Sequence, residues 1–154
     1  MPRAGFTAIH AGTIRFGKDG RWFCDGEPIG NPAICRLYAR SMTIGADGTA
    51  RLELGEDRAV VVVEDTPWVV RRVDGDPDRG FQITLNDDRV EPLDVATLRV
   101  GDDHVLYCCV DGGRVEVRFL RPAHYELLAH AVPAGPDAMV LRSGDRRVTL
   151  TAAS

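Results

Sequence analysis

Apolar residues along this chain alternate with polar ones in short runs, and recur at helical spacing in only two places. Thr13–Phe16 and Arg21–Cys24 flank Gly17-Lys18-Asp19-Gly20, which predicts a hairpin: glycine reaches positive φ and aspartate bonds its own backbone. Asp25-Gly26 turns the chain again. Asn31 then offers a cap and Pro32 a first helical residue with no N–H to lose, so a helix is predicted from Pro32 to Met42. Its apolar face is read as Ile34, Leu37, Tyr38 and Ser41, with Arg36 and Arg40 opposite. Met42–Ile44 and Thr49–Leu54 form a hairpin around Asp47-Gly48. Arg58–Glu64, with four successive valines, reads as a strand covered on both faces.

Pro67 stops that strand and Trp68-Val69-Val70 resumes an extended course. Asp74–Gly80 is the segment densest in breakers and is the expected boundary between two halves, 13–73 and 80–152. Phe81, Ile83 and Leu85 alternate with polar partners as a half-buried strand. Asn86-Asp87-Asp88 is its turn, and Val95–Leu98 is expected to add a short strand. Val105–Val110 is uninterruptedly apolar, hence a central strand. In the next strand Val115, Val117 and Phe119 point one way, Glu116 and Arg118 the other. A second helix is predicted from Pro122 to Val132 with Tyr125, Leu128, Ala129 and Val132 on one face. After a loop at Pro133–Pro136, Met139–Leu141 and Arg146–Thr151 pair around Ser143-Gly144-Asp145.

Two stretches share an order: Trp22–Gly26, a helix opened by proline, then a hairpin; and Tyr107–Gly112, a helix opened by Pro122, then a hairpin. The fold class is therefore α+β: two similar β-rich motifs, each with one short helix and antiparallel hairpins, packed as one pseudo-duplicated unit. Without β-α-β alternation, a doubly wound or barrel enzyme is disfavoured.

Charge narrows the function. Nineteen basic and twenty-three acidic residues give net −4, without the basic excess that gripping nucleic-acid phosphates demands. No run nears the roughly 18 apolar residues of a membrane span. Met1–Gly12 lacks the apolar core of a signal peptide. The expectation is a cytoplasmic protein whose Cys24, Cys35, Cys108 and Cys109 are reduced packing residues. Adjacent Cys108 and Cys109 face opposite sides of a strand.

Candidate chemistry gathers at few positions. Glu64-Asp65, beside Pro67-Trp68, could supply an acid or base, but neighbours on a strand face opposite ways and suit a structural or ligand-orienting role better. Arg118 sits in an otherwise apolar strand and Arg121 where that strand meets the second helix. A guanidinium there can hold a carboxylate or phosphate bidentately, with the helix N-terminus adding positive potential. An internal ion pair of Arg118 with Glu64 or Asp65 is the competing reading. His10 lies near the start of the chain and His104 in an acidic loop. His124 and His130 lie six apart on one helix, too far round for a shared metal. No zinc, phosphate-loop or Gly-x-Ser-x-Gly pattern occurs, so no catalytic residue, metal or cofactor is assigned.

Several of these residues, taken together, resemble a bacterial family, domain of unknown function 1285 (DUF1285). They are Asp19-Gly20-Arg21-Trp22, Gly26-Glu27-Pro28-Ile29, Leu37, Asp47-Gly48, Val63–Val69, Leu85-Asn86, Val117–Arg121 and Tyr125-Glu126-Leu127. The resemblance implies an α+β fold of two similar motifs, with suggestions of ligand binding or signalling and no assigned reaction. Where the family has a stretch like Thr-Pro-Val-Glu-Lys, this chain has Leu54-Gly55-Glu56-Asp57-Arg58, lacking the proline and the lysine. The expected function is non-enzymatic binding of a small anion or a partner segment in a groove between the motifs. Arg118 and Arg121 would hold the anion, Trp68 and Tyr125 line the wall, and Glu64 and Asp65 fix the arginines or the polar end of the ligand. The rivals are a hydrolase-like enzyme using Glu64 or Asp65 and a protein–protein scaffold. Nucleic acid and membrane are not expected partners; a second copy of the chain is.

Overall fold

The computed structural model describes residues 13–151, so His10 and the segment read for a signal peptide lie outside the described residues. The chain divides into two units, one up to Pro67 and one from Trp68. The first contains β1 (Ile14–Phe16), β2 (Trp22–Cys24), β3 (Glu27–Pro28), α1 (Pro32–Ser41), β4 (Met42–Ile44), β5 (Ala50–Leu54) and β6 (Asp57–Val63). Its sheet runs β3-β2-β1-β6-β5-β4. Every pair is antiparallel except the middle one, where β1 lies parallel to β6 with Ile14 opposite Val61.

Local chemistry accounts for these elements. Asp25 and Gly26 both take positive φ, 51° and 83°, as a two-residue hairpin turn requires. The Asn31 side chain accepts hydrogen bonds from the Ala33 and Ile34 N–H groups at 2.9 and 3.4 Å, and Pro32 opens the helix as expected. The buried stripe of α1 falls one position later than expected: Tyr38 and Ala39 are buried and Leu37 is exposed. Tyr38 belongs to either stripe. The one chosen places Ala39 inward, and its small side chain lets helix and sheet approach. Phe16, Trp22 and Tyr38 stack in the core, with ring centroids 4.7 and 5.5 Å apart. The valine strand β6 is covered on one face only. Val61 is buried, whereas Val60 and Val62 are 57% and 50% exposed, correcting the two-sided reading.

The second unit contains β7 (Val69–Asp76), β8 (Gly80–Leu85), β9 (Val90–Pro92), a 3-10 turn (Val95–Thr97), β10 (Arg99–Val100), β11 (Leu106–Val110) and β12 (Val115–Phe119). Then follow α2 (Arg121–Leu128), β13 (Val132–Pro133), β14 (Ala138–Ser143) and β15 (Arg146–Thr151). Its larger sheet runs β10-β11-β12-β7-β8-β9, again with a parallel pair, β7 and β12, in the middle. Both six-stranded sheets thus thread two three-strand meanders in the same order, and the α+β duplication holds.

The repeating elements, however, are not the pair read from the sequence. The link between meanders is α1 in the first unit and the 3-10 turn in the second, where a short strand was expected. The second helix follows the sixth strand instead. Asp74–Gly80 is the closed end of the β7–β8 hairpin, paired strand on either side of a turn at 77–79, while the units divide at Pro67 and Trp68. The three strands β13-β14-β15 form a separate sheet that the first unit lacks among the described residues. Helix α2 ends at Leu128 rather than Val132, and buries Ala123, His124 and Leu127. Tyr125, expected inside, is 61% exposed.

Candidate functional site

The first turn of the β10-β11-β12 meander sets up a site that the sequence did not announce. Gly101 N–H donates to the Val105 carbonyl, and His104 N–H to that of Gly101, closing the loop between β10 and β11. His104 takes φ +62°, a left-handed conformation uncommon outside glycine and concentrated at functional positions. A Cβ at Gly101 would run into the Tyr107 ring, so only glycine fits there.

Arg118 anchors this loop from β12. Its Nη2 donates to Asp103 Oδ2, and its Nη1 donates to Tyr107 Oη at 2.7 Å. The Arg118 residue is 9% exposed. Burial works against its charge, but the bonds to Asp103 and Tyr107 outweigh it and raise its pKa above the ordinary value. Arg99 lies over the Tyr107 ring at 4.1 Å and holds Glu116 by two bonds of 2.6 and 2.7 Å. Tyr107 therefore sits between two guanidinium groups.

Beside the loop is a cavity of about 430 Å³ built entirely from the second unit. Val100 and Leu106 come from the larger sheet and Leu128 from α2. Pro133, Pro136, Met139 and Leu150 come from the C-terminal sheet and its loop. The polar side chains of the wall are His104, His124, Asp137 and Thr151. His104 and Asp137 lie at the exposed rim, whereas His124 is 6% exposed. The Leu106 N–H donates to His124 Nδ1 at 3.3 Å, so that nitrogen carries a lone pair. The ring proton of the neutral form therefore resides on Nε2. Burial lowers the His124 pKa below the usual imidazole value. The Arg121 charge lowers it further, and Asp103 opposes more weakly. The Tyr125 ring meets the His124 ring edge-on at 5.1 Å.

The residues singled out from the sequence fall as follows. Arg118 anchors the loop. Arg121, exposed at the start of α2, acts on His124 through its field. Tyr125 supports the same imidazole. Trp68 is buried under the Arg89 guanidinium, 4.8 Å above its ring. Glu64 belongs to the first unit, where Oε1 accepts from the Lys18 N–H at 3.1 Å and from Arg15 at 3.4 Å, closing the first hairpin. Asp65 is exposed just after β6. Neither His104, read as part of an acidic loop, nor His124, read only for metal spacing with His130, figures among the expected site residues. The available signal was that His124 shares its helix stripe with Ala123 and Leu127, so a polar ring had to enter the core. Among the described residues no group of three His, Cys, Asp or Glu side chains is placed for a metal. Cys108, buried and beside Cys109 and acidic groups, has its thiol pushed far up and is no nucleophile. Among the described residues no helix is long and apolar enough to cross a membrane.

Two solved structures share this fold. A DUF1285 family protein from Silicibacter pomeroyi DSS-3 matches 93% of this chain and 80% of its own, with TM-score 0.68 and 19% identity. A DUF1285 family protein from Shewanella baltica OS155 matches 80% of this chain and 94% of its own, with TM-score 0.59 and 16% identity. The chain has the DUF1285 fold. No protein-family model and no curated protein matches it.

Proposed function

We propose that this protein binds a small molecule without transforming it, and that the binding site is the cavity of the second unit. The observation that carries this reading is an apolar cleft of about 430 Å³ with one buried imidazole in its wall. That size and lining, apolar with a few convergent polar groups, are those of small-ligand sites. Arg118 contributes by holding the loop that carries His104, rather than by reaching the ligand itself. Arg121 contributes charge. A ligand-responsive signalling role is compatible with this reading, since the wall combines a tight loop with a separate small sheet. The hydrolase alternative gains nothing from Glu64, whose carboxylate serves the first hairpin.

Filling the cleft tests the proposal. Leu128→Trp, at an intermediate-burial wall position, is expected to abolish binding of small apolar probes seen by ligand-observed NMR, while the circular dichroism spectrum stays unchanged. Equal probe binding by wild type and variant would remove the cavity as the site. A scaffold role keeps one specific support, the neighbouring exposed Val60 and Val62 on β6.

A further inference from the structure

We infer that the cavity selects an amphipathic carboxylate, an aliphatic body on the leucine and proline walls with its carboxylate at His124 Nε2. This rests on the cavity being the binding site and goes on to name what enters it. The argument begins at a donor. His124 spends Nδ1 on the Leu106 N–H, which leaves Nε2–H as the ring's remaining polar group. In an apolar cleft, a ligand that supplies an acceptor for that donor gains more than apolar burial alone. The body follows from the walls. Val100, Leu106, Leu128, Met139 and Leu150 are aliphatic or thioether side chains, which favour a flexible chain over a stacked ring.

The charge of the head follows from the surroundings of His124. On its own helix Arg121 depresses the imidazole pKa by its charge, more strongly than Asp103 in the β10–β11 loop raises it. His104 and Asp137 stand on the same cavity wall, from that loop and from the loop before β14. Asp103 is also engaged with Arg118, so Arg121 remains the stronger of the two charges acting on His124. An arriving carboxylate would accept from Nε2–H and offset the Arg121 field. The imidazole stays neutral, because a second proton would have to go on Nδ1, which already accepts from the Leu106 N–H. Asp137 at the rim opposes an anion there, which directs the carboxylate inward and the tail along the apolar wall.

Three probes of similar length separate the possibilities in the full chain: octanoate, octanol and octylamine, titrated between about pH 6 and pH 8. Octanoate is expected to bind about tenfold more tightly than octanol throughout that range, as a charge-assisted hydrogen bond allows. Calorimetry in buffers of different ionisation enthalpy should show no proton uptake, because Nδ1 keeps its bond from the Leu106 N–H. The wild-type His124 Nε2–H proton should shift downfield on adding octanoate, while Nδ1 keeps its unprotonated shift. His124→Asn retains an acceptor for the Leu106 N–H and removes the Nε2–H donor. That variant should keep octanol binding and lose the preference for octanoate. Equal binding of octanoate and octanol at every pH would overturn the carboxylate while leaving the cavity as a binding site. Tighter octylamine binding would overturn it in favour of Asp137. No binding by any probe would overturn both this inference and the cavity.

Discussion

Arg118 shows how a residue chosen for one role can serve the same site in another. Its guanidinium has a fork of donors, and within its unit two of them are committed to Asp103 and Tyr107. Arg118→Met keeps the apolar stem and removes both bonds. Chemical denaturation should show a loss of about 1.5–3 kcal/mol, at the lower end because Asp103 keeps partial access to solvent. The His104 amide resonance should broaden as its loop loosens. His124 makes a second prediction, with a definite sign. Its folded pKa lies below the unfolded value of about 6.5, so the unfolded chain takes up the proton first on acidification. The contribution to stability is complete above about pH 6.5 and declines as pH falls toward the folded pKa. Urea midpoints measured on either side of that value should fall on the acid side, and less steeply in His124→Asn.

Secondary structure was legible in the sequence wherever a turn or cap dictates it locally. Asn31-Pro32 started α1 where expected, and Asp25-Gly26 and Ser143–Asp145 turned the chain where expected. Asn31→Ala should cost about 1 kcal/mol by thermal unfolding, and Asn31→Ser little, because a hydroxyl oxygen still meets the free N–H groups. What local rules cannot supply is which face turns inward and which strands meet. Leu37 and Tyr125 looked like core residues, yet Ala39 and Ala123 were drawn in by close helix–sheet packing. Asp-Gly turns recur at any hairpin, so matching Asp25-Gly26 with Asp111-Gly112 aligned two turns that occupy different places in the two sheets. Asp74–Gly80 read as the boundary between halves because breakers mark tight hairpins and domain joints alike. Gly75 settles that case: at φ +113° a Cβ there would strike the Gly80 backbone. Gly75→Ala should therefore destabilise the chain by about 1–3 kcal/mol in a denaturant titration.

At the scale of the whole molecule, the duplication and the candidate site part company. The two six-stranded sheets repeat, but beside Val100 and Leu106 of the larger sheet the cavity needs α2, the β10–β11 loop and the C-terminal sheet. The first unit has no counterpart of that sheet among the described residues. Binding should accordingly saturate at one ligand per chain, read by native mass spectrometry or calorimetry. Two equivalent sites would mean that the repeat, and not the added sheet, makes the pocket. The candidate site was hidden from the sequence for the same reason: its walls are scattered from Val100 to Thr151 and meet only through tertiary packing.

The parallel seam carries a consequence for synthesis. In each six-stranded sheet the opening strand, β1 or β7, lies against the closing strand, β6 or β12, so each of these sheets starts and finishes in its own centre. A nascent chain on the ribosome can zip its outer hairpins early, but the middle stays unpaired until the final strand emerges from the exit tunnel. Each half must therefore mature late and all at once, with an apolar strand exposed until then.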